Sequence, residues 1–344
     1  MDTSDSDRRQ QFAASFRVWP EAYPYLDLMF SEDEMRLVLL LASQADARPA
    51  NAQEVALGLG IPEEQAAGLL EHGYRRAVLD RQEDEQGVTY LPAVFYRFLG
   101  HFAKFGQWDL IPADARQIID RRYLSAFVDR HRESIRKKMQ GLATQDDLPN
   151  DAVLLLPEVE EMLRAAADIV VQPCDCRRLG QYCGRPVDTC LWLDESARQT
   201  LARGNGRRLT VDEAIQLVRW ADDQGLMHTG DAAWQKHGLH AICNCCACDC
   251  YPFRAAQLMN SRGYWPRNRY VAAHDAERCT DCGLCVDRCH FAAFRWDEGE
   301  ADAPASRARQ LVFDPGRCWG CGLCANTCPE EAITMQQVPE WRNL

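Results

Sequence analysis

The sequence predicts an α+β protein, with mostly helical N-terminal and middle regions followed by a short C-terminal module in which one supersecondary unit is written twice. Three observations predict it. Helix-start signals precede apolar stretches in the first two thirds of the chain: Ser31 with Glu34, Asn51, and Thr210 with Glu213. A turn-like stretch, Glu83–Tyr90 around Gly87, has the pattern of a hairpin. Near the C-terminus, each cysteine of Cys279-x2-Cys282-x2-Cys285-x3-Cys289 has a partner 39 positions later, in Cys318-x2-Cys321-x2-Cys324-x3-Cys328. Arg278 and Arg317, Gly283 and Gly322, Leu284 and Leu323, and Ala293 and Ala332 continue the correspondence beyond the cysteines.

In chain order, residues 1–30 form an N-terminal lead-in that turns aromatic, with Phe12, Phe16, Trp19, Tyr23, Tyr25 and Phe30. Simple packing is its favoured role. Residues 31–95 read as a small helical domain. Its first helix carries Met35 and Leu37–Leu41, its second runs from Ala52 to Leu59, and its third starts near Pro62. Three helices and a hairpin in this order resemble a winged helix, whose third helix would read DNA. That helix begins Glu63-Glu64, which phosphates repel, so interaction or homodimerisation is the preferred role for this domain. Residues 96–170 form a helical connector. Ile118, Ile119, Tyr123 and Phe127 are spaced for one helix face, Arg130–Lys138 is a solvated face, and Thr144–Asp151 is a loop. Residues 171–260 form a Cys-rich metal-binding domain. The polar stretch Ser261–Arg269 joins it to the repeat, which occupies residues 270–344.

Composition narrows the function. The 344 residues suffice for two or three domains, and 47% hydrophobic content is enough for real cores. The formal net charge of −12 disfavours nucleic acid, which needs lysine and arginine at phosphates. An acidic surface instead suits docking on a basic partner. No run of about 18 apolar residues suggests a membrane span. Arg8-Arg9 is similar to a twin-arginine signal, but no apolar stretch follows, so a cytoplasmic location is expected. Seventeen cysteines, an odd number in a long unexported chain, point to metal rather than disulfides. Neither a Gly-x-Gly-x-x-Gly turn nor a P-loop is present, so nucleotide or flavin chemistry belongs to a partner.

The doubled cysteine run resembles the bacterial two-cluster ferredoxins. The resemblance covers residues 270–344 and implies a (βαβ)2 module holding two [4Fe–4S] clusters. It implies crossed ligation: Cys279, Cys282, Cys285 and Cys328 on cluster 1, and Cys318, Cys321, Cys324 and Cys289 on cluster 2. Gly283 and Gly322 let the loop backbone approach sulfur. His290 departs from the pattern, which has proline there as at Pro329. The long intervening segment, Asp297–Arg309, is expected to form an extended hairpin tip.

Nine cysteines lie upstream: Cys174, Cys176, Cys183 and Cys190, then Cys243, Cys245, Cys246, Cys248 and Cys250. Thiols this dense imply metal. A subset is expected to hold one or two further Fe–S clusters, with zinc or thiol redox chemistry as alternatives. Neighbouring side chains diverge, so Cys245 and Cys246 are expected to serve different sites or groups. Arg177 and His240 are candidate accessory residues, Arg177 for a charge-assisted bond to a sulfide or anion. The order Cys174-x-Cys176-Arg177, Cys183, Cys190, Leu226-x-His228, Ile242-Cys-Asn-Cys-Cys246 and then the repeats is similar to a family of ferredoxin-fused bacterial and archaeal proteins, over about residues 35–335. No reaction comes with that resemblance. The Cys-Cys-Gly signature of heterodisulfide reductases is absent, because Ala247 follows Cys246.

Three functions follow. The preferred one is an electron-transfer protein that relays single electrons through the two clusters, and at least one more, to a redox partner protein, an oxidoreductase or a flavoprotein. The second is an iron–sulfur reductase with its catalytic cluster among residues 174–250. The third is a redox-sensing DNA-binding regulator.

Overall fold

A computed structural model describes residues 3–43, 49–85, 87–142, 152–297 and 310–338. The expected loop at Thr144–Asp151 and nearly all of the expected hairpin tip at Asp297–Arg309 lie outside the described residues. The protein mixes helix and strand and divides into two compact units. One runs to Ala126 and takes in Arg178–Gly180 and Arg203–Asn205; the other holds the remainder.

The first unit contains α1 (Thr3–Phe16), α2 (Leu26–Met29), α3 (Glu32–Ser43), α4 (Ala52–Leu59), α5 (Glu63–Arg75), the antiparallel pair β1 (Leu79–Asp84) and β2 (Gly87–Pro92), and α6 (Phe95–Phe105). Capping boxes start α3 and α4: Ser31 Oγ accepts from the Glu34 amide at 3.2 Å, and Asn51 Oδ1 from the Glu54 amide at 3.0 Å. The aromatic lead-in packs within this unit. Phe12 meets Phe30 edge-on at 4.8 Å, and Phe30 stacks on Phe98 of α6 at 4.2 Å.

The long helix α7 (Ala113–Met139) carries the boundary, since Phe127 onward belongs to the second unit. That unit adds β3 (Ala152–Leu154), α8 (Leu156–Ala165), β4 (Ile169–Gln172), the first half of α9 (Asp175–Gly180), β5 (Cys190–Leu193), α10 (Asp194–Ala202), β6 (Arg207–Leu209), α11 (Val211–Asp223), β7 (Met227–Gly230), α12 (Trp234–His237), β8 (Ala241–Cys245) and α13 (Tyr251–Met259). Its six strands form one sheet in the order β3-β7-β8-β5-β4-β6, every pairing antiparallel. Val159, Met162 and Leu163 of α8 and Ala214, Ile215 and Val218 of α11 share one core with Ile169, Leu191, Leu193 and Ile242 of the sheet. Alternation along the strands puts those apolar residues on one face and Cys190 and Cys243 on the other.

The last segment contains β9 (Tyr270–His274), α14 (Leu284–Arg288), β10 (Phe294–Trp296), β11 (Leu311–Phe313), α15 (Leu323–Thr327) and β12 (Ile333–Gln337). β9 pairs with β12 and β10 with β11, both antiparallel, so the first and last strands close the segment on itself. The Ser261–Arg269 joint is not a solvated tether. Trp265 is fully buried and stacks on Phe127 at 5.8 Å, and Ser261 and Asn268 are buried with it. Among the described residues, no helix is long and apolar enough to cross a membrane.

Candidate metal centres

The two C-terminal repeats build matching loops. Gly283 and Gly322 take left-handed φ of 78° and 80° and cap α14 and α15. Backbone amides point at sulfur in register: Asp281 N donates to Cys279 Sγ and Gly320 N to Cys318 Sγ at 3.4 Å, while Ala293 N donates to Cys289 Sγ at 3.2 Å and Ala332 N to Cys328 Sγ at 3.3 Å. Such bonds stabilise negative charge on sulfur and tune a cluster's potential.

A small cavity, about 20 Å³, lies in this segment, walled by Cys279, Cys282 and Cys285 of the first repeat and Cys328 of the second. Cys289 is near the other three: its charge raises the Cys318, Cys321 and Cys324 thiols, after burial, which acts first on each. Burial carries Cys285 up to about 11 and Cys321 up to about 12. Thiols so costly to ionise alone need a bound cation to become thiolates.

Upstream, six cysteines converge from four places. Cys243 and Cys245 point the same way from β8, and Cys190 sits beside Cys243 at the start of β5, next in register after Leu191↔Ile242. Cys174 and Cys250 cap the N-termini of α9 and α13, and Cys176 lies in the first turn of α9. Their thiols contact one another round a ring. Cys174 meets Cys176 and Cys190, Cys190 meets Cys243, Cys243 meets Cys245, Cys245 meets Cys250, and Cys250 meets Cys176. The Cys245–Cys250 sulfurs are 3.3 Å apart. Hydrogen bonds from their neighbours hold Cys174 and Cys245 well below an ordinary thiol.

The other three upstream cysteines lie apart from the ring. Cys183, Cys246 and Cys248 gather round the Asp249 carboxylate, with all four ligand atoms within 4.8 Å of one another. Cys245 and Cys246 therefore face different groups, as adjacent residues at a strand end must. A hydrogen bond from Cys248, working against burial, brings Cys246 down to about 7.

Arg177 stands between the two thiol groups, 2% exposed. Its guanidinium donates to Pro186 O at 2.7 Å, to Asn244 O at 2.6 Å and to Thr189 Oγ1. Burial alone would lower its pKa; the charges of Cys174, Cys190, Cys246 and Cys245 outweigh burial and raise it. The residue thus ties the cysteine-bearing loops together and offsets thiolate charge. His240 is exposed, and its carbonyl accepts the Leu193 amide at 2.9 Å.

Sequence reasoning missed four polar residues. Asn244 and Thr189 are fully buried; Asn244 Nδ2 donates to Thr189 O at 2.6 Å, which leaves Asn244 Oδ1 to accept from His228 Nδ1 at 2.6 Å. Asp222, 3% exposed, accepts from Asn326 Nδ2 at 2.9 Å, pairs with Arg288 at 3.4 Å and lies 3.6 Å from His228 Nε2. Asp249 is the fourth. An acid inside a cysteine run was its only signal. His290 donates from Nε2 to Gly225 O at 2.6 Å, and burial lowers its pKa, so the departure from proline brings a neutral tether between the repeat and the β7 approach.

One apolar cluster joins the two cysteine-rich parts. Trp319, beside Cys318, packs edge-on to Phe253 of α13 at 5.0 Å and stacks on Phe291 at 4.7 Å. The same cluster contains Cys245 and Cys250, with Cys243 and Cys321 packed against it.

Residues 278–332 match the family model described as a 4Fe-4S dicluster domain. No curated protein and no solved structure matches the chain. The C-terminal segment is therefore an iron–sulfur, metal-binding module of the kind that transfers electrons, with a Cys-rich region beside it.

Proposed function

We propose that this chain, whose residues 278–332 form a 4Fe-4S dicluster domain, is an iron–sulfur relay that passes single electrons to or from a third centre upstream. Cys279, Cys282, Cys285 and Cys328 hold one [4Fe–4S] cluster, and Cys318, Cys321, Cys324 and Cys289 the other. The four-walled cavity supports the first set, and mutual electrostatic proximity supports the second. The ring of Cys174, Cys176, Cys190, Cys243, Cys245 and Cys250 supplies the thiolates of the further cluster, with four of the six sufficient for a cubane. Arg177 balances its charge, and His240 stays outside it.

The observation that carries this reading is the shared apolar cluster, in which Cys321 of the repeat and Cys243, Cys245 and Cys250 of the ring line one dry core around Trp319. Electrons need no mobile carrier between centres packed in that way. Anaerobically purified protein is expected to carry about twelve irons with matching sulfide. Reductive titration followed by EPR should show a third signal, broadened by spin coupling to its neighbour. About eight irons and two signals would sink the relay.

In this reading the first unit is an interaction domain. The order α3, α4, α5, β1, β2 supports a winged helix. The start of α5 exposes Glu63 and Glu64, while Arg75 pairs with Glu71 and Arg76 with buried Glu34, so little positive charge is left for phosphates. The partner is a redox protein supplying nucleotide or flavin chemistry, reached in the cytoplasm.

A reductase is the second reading, favoured by an open groove beside Cys248 and Trp319 that collects Arg185, Arg262, Arg317 and His290. Such a groove suits a small anionic substrate within reach of the centres. Anions that shift the EPR spectrum of the third centre would support it; an unchanged spectrum across small carboxylates and oxyanions would rule it out.

A further inference from the structure

We infer that Cys183, Cys246, Cys248 and Asp249 form a mononuclear zinc site, chemically distinct from every iron–sulfur centre of the chain. The inference stands on spacing and does not depend on the relay. Cys183 Sγ is 3.7 Å from Cys246 Sγ, and Asp249 Oδ2 is 3.0, 3.6 and 3.7 Å from the sulfurs of Cys183, Cys246 and Cys248. Ligand atoms about 2.0–2.3 Å from one tetrahedral zinc lie roughly 3.3–3.8 Å from each other. The four atoms therefore already surround a point at ligand distance. In a cubane each thiolate binds a different iron and the whole inorganic core separates the sulfurs, which this spacing does not accommodate. The contrast with the ring is one of number: there such a group of mutual neighbours holds two sulfurs, Cys174 and Cys176, with Asp175, whereas here it holds three sulfurs and a carboxylate.

Asp249 is the second, independent observation. It is fully buried, and among the described residues no lysine or arginine is paired with it. Its Oδ1 accepts the Tyr182 amide at 2.8 Å, which aims Oδ2 at the three sulfurs. A carboxylate buried against three thiols is costly unless a cation sits between them. An outer hydrogen bond on a ligating carboxylate is the usual means of orienting it. Three thiolates and one carboxylate complete the tetrahedron and leave no open position, so the zinc is structural. It pins the Cys183 loop, between α9 and β5, to the β8–α13 turn. The same two segments carry ring cysteines on either side, so the zinc sets the spacing of the third centre without belonging to it.

Zinc analysis and zinc-edge X-ray absorption on the anaerobically purified full-length protein test this. The expected result is one zinc per chain, with three sulfurs at about 2.3 Å and one oxygen at about 2.0 Å. Asp249→Ala is expected to lose the zinc while the iron content is kept, and Asp249→Cys to keep it with a fourth sulfur in the spectrum. Iron in place of zinc at this stoichiometry, four sulfurs around zinc in the unmodified protein, or zinc retained in Asp249→Ala would each overturn the assignment. If Asp249→Ala does not fold, the unmodified protein and Asp249→Cys decide it.

Discussion

Two buried polar residues carry predictions at the scale of a single side chain. Asp222 answers Asn326 and Arg288 at once, and Arg288 Nη2 also bonds its carbonyl at 2.6 Å. Asp222→Ala leaves a half-buried guanidinium short of its carboxylate, at a cost of about 2–4 kcal/mol. The denaturant midpoint for loss of cluster absorption should fall with an unchanged slope; an unmoved midpoint would show that the hub is dispensable. His101 tests electrostatics in the first unit. Burial first, then Lys104, Arg203 and Arg76, lower its pKa to about 3. The folded state thus holds His101 neutral where the unfolded chain would protonate it below about 6.5. Its contribution is full above that pH and is lost as pH falls toward 3, reaching about 2 kcal/mol at pH 5. The His101 ring-proton resonance should not move between pH 8 and 5, and a midpoint near 6.5 would refute the burial argument.

At the scale of elements, the two cysteine loops differ at one informative position. Gly320, at φ 68°, is so close to β9 that a Cβ would stand 2.1 Å from Tyr270 O. Its counterpart in the first repeat is Asp281, a left-handed residue at φ 52°. Gly320→Ala is therefore expected to open the second loop and remove about four irons, while Asp281→Gly keeps them. Equal iron in both variants would mean that the loop adapts. The elements also show what pattern alone made legible. The expected caps at Ser31, Asn51 and Thr210 all form, the last with Thr210 Oγ1 accepting from the Glu213 amide at 3.2 Å. Side-chain oxygen, three-residue spacing and backbone amide suffice for a cap, and all are local. The six-stranded sheet was not legible. Its strands are three to five residues long, and the residues of β4 and β5 pair with residues 18–51 positions away, which no local periodicity records.

For the whole molecule, the formal charge of −12 predicts how it meets a partner. Electron delivery to a basic-faced acceptor should slow about tenfold or more between 10 mM and 200 mM salt, measured by stopped flow. A rate indifferent to salt would argue against charge-steered docking. The site shows the same division between what is local and what is assembled. The dicluster segment was legible because each of its two loops repeats the same short cysteine spacing, and the family match falls on it. The sorting of the nine upstream cysteines into six and three was not, because it depends on where β5, β8, α9 and α13 place their ends.

The doubled cysteine run by itself determined that the chain binds iron–sulfur clusters, since three thiols two residues apart can wrap a cluster within one loop. Tertiary structure decided the rest. Only the register of β5 against β8 brings Cys190 beside Cys243, and only the fold sets the Asp249 carboxylate, held by the Tyr182 amide, among Cys183, Cys246 and Cys248. Metal chemistry needs atoms a few ångströms apart, and outside a single loop the sequence does not carry that distance.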